Sequence, residues 1–338
     1  MRPFKYSRAN DATQAVQLAV ANKNAKFLAG GTNLLDLMKE DVERPTELVD
    51  VTRLKLTEIK SSSGGISLGA LAKNTDTANH PLVRQNYPLL TQAILAGASG
   101  QIRNMATNGG NLNQRTRCPY FYDVAMPCNK REPGTGCGAF EGLNRMHAIF
   151  GWSEKCVAVY PSDMAIALAA LDAVVKVIGA NGKERTIAFA DFHRLPGDTP
   201  EKDNNLQPGD LITSIELPKN NFAAKSYYLK VRDRASYAFA LVSVAAALET
   251  DGNTIKQARV AMGGVAHKPW RATQAEKVLA GKAATEAVFM QAAEAEMRNA
   301  KPLEHNRFKV ELGKRAIVRA LMLANGGAAA SQGGASNG

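Results

Sequence analysis

An α+β fold is predicted for this 338-residue chain from three observations. The first fifty residues alternate helical periodicity with short apolar runs, as a β-α-β-like unit does. Residues Leu211 to Met262 break into strand-like runs separated by turn residues, the pattern of antiparallel pairing. Three further segments then close the chain as helices. At 45% hydrophobic and 22% charged residues, the composition is that of a globular protein with length for two or three packed units.

Taken in order, Ala12 to Asn22 carries helical periodicity, Lys26 to Ala29 forms a short strand, Gly30 and Gly31 turn the chain, Leu34 to about Lys39 is a helix, and Glu47 to Val51 a strand. The SSSGG stretch from Ser61 to Gly65 leads into a strand, Ile66 to Ala70, and then into helical material from Pro81 to about Ala96, which Gly97 and Gly100 stop. From Ser99 to about Lys155 periodicity is lost, and Gly, Asn, Arg, Pro and Cys accumulate. A loop of that length inside a compact domain is normally functional or disordered. Regular structure resumes with PSDMAIALAALDAVVKV, a helix N-capped near Ser162 or Asp163 that runs into a strand over Ala173 to Ile178. Strands follow at Leu211 to Leu217, Ser226 to Val231, Ala240 to Leu248 and Gln257 to Met262. Helices follow at Ala272 to Leu279, Thr285 to Arg298 and Phe308 to Ala324. The tail after Asn325, GGAAASQGGASNG, is low-complexity and expected to be disordered.

No apolar stretch approaches the roughly 18 residues of a membrane span, and no membrane helix is expected. The N-terminus has a basic start without an apolar run behind it, so no secretory signal is expected. The net charge of +11 raises the question of nucleic acid, but the basic residues are dispersed and no helix-turn-helix, RNA-recognition or C2H2 signature is present. A basic surface equally suits an acidic partner or an anionic cofactor. No nucleophile, base and orienting group are legible together, so hydrolase chemistry is not expected and no catalytic residue is assigned.

Two glycine-rich segments carry the first candidate site. KFLAGGTNLLDLMK, Lys26 to Lys39, sets two glycines between a strand and a helix, where main-chain N–H groups and the helix dipole favour an anion. The spacing matches neither GxGxxG nor the Walker pattern, which argues against a standard NAD-binding Rossmann domain and a P-loop NTPase. Alone, such a turn is structural more often than ligand-binding. The second segment, GASGQIRNMATNGGNL from Gly97 to Leu112, is rich in glycine and asparagine and suits wrapping a polar ligand, or simply an irregular connection. As a pair, the loops suit a dinucleotide, which offers a pyrophosphate and a polyol chain.

AGGTNLLDLMK, the QIRNMATNGGN run (Gln101 to Asn111), PSDMA (Pro161 to Ala165) and LITSIELP (Leu211 to Pro218) resemble, in order and spacing, the flavin-binding pattern of the xanthine dehydrogenase and aldehyde oxidoreductase family. The resemblance spans nearly all of residues 1 to 325. It implies an FAD-binding domain of the PCMH/vanillyl-alcohol-oxidase type over 1–222, with two α/β subdomains at about 1–55 and 56–222. A C-terminal antiparallel sheet with helices over 223–325 and a tail at 326–338 complete the implied order. It further implies that Lys26, Phe27, Leu28, Ala29, Gly30, Gly31, Thr32, Asn33 and Leu34 form the pyrophosphate segment. Thr107, Gly110 and Asn111 would belong to the second FAD loop, and Asp163, Ile212 and Lys230 would be further flavin contacts. Read without the resemblance, Asp163 is a helix cap, Ile212 a core residue and Lys230 a solvated strand end.

All four cysteines, Cys118, Cys128, Cys137 and Cys156, fall in or at the edge of the irregular segment, spaced C-x9-C-x8-C-x18-C. None lies in a predicted core element, so a shared bonding partner is suggested. Zinc normally shows tighter C-x2-4-C pairs, and disulfides suit an oxidising compartment. A 4Fe-4S cluster needs four thiolates and tolerates wide spacing when a loop wraps it. Arg115, Arg117, Lys130, Arg131, Arg145 and Lys155 flank the cysteines and would stabilise an anionic cluster, although a basic solvated loop that docks a partner reads the same way. His80, His147, His193, His267 and His305 show no metal-ligand spacing, and His267 is expected in a turn near a subunit contact.

The flanking RTRCPYFYD and PCNKR, with KVRDRASYAFALVSVA and GGVAHKPWR further on, are similar to bacterial aldehyde oxidoreductase FAD subunits with a 4Fe-4S insertion, here at about 113–157. That resemblance implies an oxidoreductase subunit of a heterotrimer. A large molybdenum-cofactor subunit would oxidise the aldehyde, a small 2Fe-2S subunit would relay electrons, and this chain would pass them through FAD to an external acceptor. Its compartment would be the periplasm, by co-export with a twin-arginine partner, or the cytoplasm. The alternatives are a self-contained flavin oxidoreductase, an FAD/4Fe-4S subunit of the 4-hydroxybenzoyl-CoA reductase or xanthine dehydrogenase type, and a zinc-bearing interaction or nucleic-acid module without FAD.

Overall fold

The computed structural model describes residues 1–326, so the tail expected to be disordered lies, from residue 327, outside the described residues. Three sheets succeed one another along the chain. The first is parallel, in the order β1-β3-β2, with β1 at Lys5–Arg8, β2 at Ala25–Leu28 and β3 at Glu47–Asp50. Helices Ala12–Ala21 and Leu34–Lys39 make the crossovers, as parallel pairing requires. The edge strand β1 was not anticipated. Its KYSR sequence is mostly exposed and lacks apolar alternation, and it is held by polar contacts to β3, Ser7 Oγ to Glu47 at 2.6 Å and Arg8 Nε to Asp50 at 3.1 Å.

The second sheet is antiparallel, in the order β4-β5-β8-β6-β7. Its strands are β4 (Ile59–Ser62), β5 (Gly65–Gly69), β6 (Val174–Ile178), β7 (Glu184–Ala188) and β8 (Leu211–Pro218). The helical stretch expected from Pro81 to Ala96 is two helices, Pro81–Asn86 and Pro88–Ala96. Pro88 brings no N–H and its ring obstructs the preceding turn, so the first helix ends and a second starts with proline in its favoured first-turn position.

The third sheet, β12-β11-β10-β9, contains β9 (Ser226–Val231), β10 (Val242–Asp251), β11 (Thr254–Gly263) and β12 (Trp270–Arg271). Alternate side chains of β10 enter different cores. Val242, Val244, Ala246 and Leu248 pack with helices Thr273–Leu279, Glu286–Met297 and Phe308–Asn325, while Ala245 and Ala247 pack toward helix Asp163–Ala170 and the second sheet. Burial on both faces explains why this strand is almost continuously apolar. Helix Asp163–Ala170 is thereby wedged between two sheets with most of its residues buried. Its N-terminus marks the junction where the candidate site lies.

Residues 99–155 contain only short helical turns, Gly100–Arg103, Asn108–Leu112, Pro119–Tyr122 and Gly138–Glu141. Among the described residues no helix is long and apolar enough to cross a membrane.

Candidate functional site

The first glycine loop joins β2 to helix Leu34–Lys39. The main-chain N–H groups of Gly30, Gly31, Thr32, Asn33 and Leu34 donate to no backbone acceptor among the described residues. Gly31 has φ of 72°, which a side chain would oppose. The Asn33 carboxamide oxygen accepts from Arg115 N at 2.9 Å, while its Nδ2 is buried without a partner. A row of free donors ending in an orphaned amide is a fit for an anionic, oxygen-rich group such as a pyrophosphate. Lys26 and Phe27 contribute differently. The exposed Lys26 ammonium sits 3.7 Å from the largely buried Glu43 carboxylate, and Phe27 packs on the core beneath the first sheet.

The two glycine loops are in contact. A Cβ built on Gly30 would lie 2.1 Å from the carbonyl oxygen of Met105 and 3.1 Å from Ala106 Cα, so this glycine is demanded by the second loop's backbone. In that second loop Thr107 caps helix Asn108–Leu112, its Oγ1 accepting from Gly110 N at 3.2 Å. Gly109 N donates to Ala70 O and Asn111 N to Thr107 O. The main chain of Gly110 and Asn111 is therefore committed within the protein, as is the Asn111 amide, whose Nδ2 donates to Asn74 Oδ1 and whose Oδ1 accepts from Gln114, and what faces outward is the exposed Gly110 surface. Asn108, which the sequence reading passed over, is the buried anchor of the loop. Its Nδ2 donates to Gly69 O at 3.2 Å and Thr77 Oγ1 at 2.9 Å. Ile212 lies in the core behind Gly109.

Asp163 and Lys230, distant in sequence, form a buried ion pair, Nζ to Oδ2 at 2.8 Å, with side chains 9% and 5% exposed. Lys230 is therefore no solvated strand end, and its ammonium also donates to Ala96 O at 3.0 Å. Tyr228, unmarked in sequence, donates to Asp163 Oδ1 at 2.7 Å and lies 3.0 Å from Ser243 Oγ. Ser162 is the helix N-cap, accepting from Ala165 N, and its hydroxyl donates to Asn111 Oδ1 at 2.5 Å. The second glycine loop is thus bonded directly to the helix start. Beside Ser162 and Asp163 opens a cavity of about 200 Å³, walled also by Arg117, His147, Phe239 and Gly264.

The four cysteines line a second, smaller pocket together with Lys130 and Lys155, and all are free thiols. Contrary to the sequence reading, two of them are core residues. Cys128 and Cys156 are buried, Cys128 against Leu37 and Phe121. Burial pushes the Cys118 and Cys156 thiols up to about 12, so their thiolates need a cationic partner to form at neutral pH. The flanking cations are less available than their number suggests. Arg115 pairs with Glu43 and Asp203, Lys130 with Asp203, Arg117 with Asp36 and Arg145 with Asp233. Arg131 donates to the carbonyls of Tyr120 and Phe121 at 2.8 Å. Burial opposes the Asp203 charge, yet Arg115 and Lys130 outweigh it and hold the carboxyl well below its usual range.

His267 lies, as expected, in the bend between β11 and β12, and it is buried there. It is 4% exposed, with Nε2 at 3.8 Å from Cys156 Sγ. His147 is likewise buried, with Nε2 at 3.1 Å from Cys118 Sγ. Single-residue spacing held no signal for either contact, since His267 is more than a hundred residues from Cys156.

Residues 2–220 match the FAD binding domain in molybdopterin dehydrogenase and residues 227–325 the CO dehydrogenase flavoprotein C-terminal domain. The chain belongs to the family of FAD-binding subunits of molybdopterin dehydrogenases. It is 52% identical over 322 residues to the aldehyde oxidoreductase FAD-binding subunit PaoB of Escherichia coli, covering 95% of this chain and 98% of that one. It is 31% identical to the glyceraldehyde dehydrogenase medium chain of Sulfolobus acidocaldarius, over 82% of each. A solved carbon monoxide dehydrogenase of Hydrogenophaga pseudoflava shares the fold, with a TM-score of 0.76 at 24% identity over 96% of this chain and 98% of that one.

Proposed function

We propose that this chain is the FAD-binding, electron-transferring subunit of a molybdenum-dependent aldehyde oxidoreductase, and that its four cysteines hold a 4Fe-4S cluster. The observation that carries the flavin half is the row of unpaired N–H groups from Gly30 to Leu34, closed against the second glycine loop. When bound, FAD supplies the exchange between one-electron carriers and an external acceptor. The chain's own residues bind and orient it: the first loop donates to phosphate oxygens, the Ser162–Asn111 bond fixes the second glycine loop against the helix start, and the Asp163–Lys230 pair fixes the charge beside the cavity. The aldehyde assignment rests on relatives named for aldehyde and glyceraldehyde oxidation. The substrate would be oxidised in a large molybdenum-cofactor subunit, with a small 2Fe-2S subunit as relay.

The cluster half is supported by four free thiols lining one pocket. Among the described residues no group of three or more His, Cys, Asp or Glu side chains is arranged to hold a metal ion. The preference for a cluster over zinc rests on the wide cysteine spacing, which lacks the tight C-x2-4-C pairs of zinc sites. Export with a partner that carries a twin-arginine signal is compatible with this role.

Two measurements test the proposal. Adding an aldehyde to the purified chain alone is expected to leave its flavin oxidised, while the co-expressed complex bleaches; bleaching of the lone chain would instead identify a self-contained oxidoreductase. Cys137→Ser is expected to lose iron and retain FAD, and an iron content equal to that of the unmodified chain would remove the cluster.

A further inference from the structure

The geometry points to His147, and secondarily His267, as hydrogen-bond donors to the sulfurs of the proposed cluster that set its reduction potential. This inference rests on the cluster reading above. It goes beyond it by assigning a function to two buried side chains that the flavin site does not use.

The main chain at His147 is anchored on both sides. Its main-chain N–H donates to Asn144 O at 3.1 Å. Its carbonyl accepts from Asn306 Nδ2 at 3.1 Å and Lys309 Nζ at 3.0 Å, and both of those side chains are completely buried. Lys309 also donates to Gly264 O at 2.7 Å, which ties the cysteine segment to the third sheet. From this anchored backbone the ring places Nε2 at 3.1 Å from Cys118 Sγ, while Nδ1 is buried without any partner. His267 repeats the arrangement at longer range, Nε2 at 3.8 Å from Cys156 Sγ with Nδ1 unpartnered.

The tautomer follows from the chemistry of the sulfur. A cysteine bound to iron has no proton to give and acts only as an acceptor, so the hydrogen in the contact must come from the imidazole Nε2–H. His193 gives an internal comparison. It is equally buried with an unpartnered Nδ1, but its Nε2 is 3.0 Å from Leu112 O, a carbonyl that only accepts. There the carbonyl fixes the Nε2–H form, as a proton-free sulfur would at His147. An N–H aimed at a cluster sulfur stabilises the added electron of the reduced state and raises the potential. Cys118 lines both the cysteine pocket and the larger cavity beside Asp163, and His147 lines that larger cavity, so the Cys118 corner is the one in the wall between the two.

The test is an electron-paramagnetic-resonance redox titration of the purified complex, with iron and flavin quantified first. His147→Leu is expected to lower the midpoint, so that the ratio of reduced to oxidised cluster at a fixed potential falls roughly five- to tenfold. His147→Gln, which keeps an N–H donor, is expected to recover part of the shift, and His193→Gln to leave the midpoint unchanged. Iron present with an unaltered midpoint in His147→Leu overturns this inference and leaves the cluster reading standing. Wild-type protein without iron overturns the cluster reading itself. Should His147→Leu fail to hold its cluster, pulsed resonance on wild-type protein carrying ¹⁵N-histidine decides the matter. A histidine nitrogen coupled to the reduced cluster supports the bond, and no coupling refutes it.

Discussion

Replacing Gly30 by alanine tests whether the two glycine loops form one cradle. The added Cβ would stand 2.1 Å from the Met105 carbonyl oxygen and 2.8 Å from its carbon, both main-chain atoms. Relief requires the Met105–Ala106 backbone to retreat by about 1 Å, a cost of about 1–3 kcal/mol on the scale of overpacked interiors. The same displacement moves the loop that carries Thr107 to Asn111 away from the donors at Gly30 to Leu34. With that cost falling on the ligand-ready conformation, FAD affinity drops roughly five- to 150-fold. Gly100→Ala is the matched control, because a Cβ there meets no atom within 4 Å and its backbone is helical. The assay is fluorescence titration of the deflavinated chain with FAD, alongside thermal melts with and without the ligand. Gly30→Ala with the affinity and melting temperature of the Gly100→Ala control would refute the shared-cradle argument.

Lys230→Met leaves Asp163 as a buried charge bonded only through Tyr228 and is expected to cost about 3–5 kcal/mol. The Lys230→Met/Asp163→Leu double variant is expected to recover much of that loss in urea denaturation, and a double variant less stable than the single one would contradict the pairing. His193 supplies a pH prediction. Burial holds its imidazole down at about 4, below the roughly 6.5 of an unfolded histidine. Between those values the unfolded chain binds the extra proton and the folded chain does not, so stability falls as pH drops from about 6.5 toward 4. His193→Gln should flatten that slope in melts across the range, and an unchanged slope would mean the group titrates normally.

How much of this was legible in the sequence varies with the range of the interaction. Helices and strands with their own apolar pattern, such as Ala12–Ala21 and Val174–Ile178, were visible because the signal is local. The strands at Lys5–Arg8, Ile59–Ser62 and Glu184–Ala188 were not, since short, largely exposed edge strands take their conformation from a partner. The first glycine loop was visible as a motif, but its reason, the Met105 backbone pressed on Gly30, is a contact between distant segments. Asp163 was legible from the residues only as a candidate helix cap and Lys230 was singled out only through resemblance, and their ion pair is a tertiary fact. The cysteines stood out by number and spacing, yet their burial and the two histidines against their sulfurs depend on how residues 113–157 fold back on the third sheet. The cations around them looked like partners for an anionic cluster because sequence shows Arg115 and Lys130 without the Asp203 that neutralises them.

The central claim is that one chain carries a flavin and an iron-sulfur group side by side. Quantifying both in the freshly purified full-length protein, with its visible spectrum, tests this most directly. The account predicts equimolar FAD and about four iron atoms per chain, with broad cluster absorbance beneath the flavin bands. Flavin without iron would contradict the cluster, and a colourless protein containing neither would contradict the account as a whole.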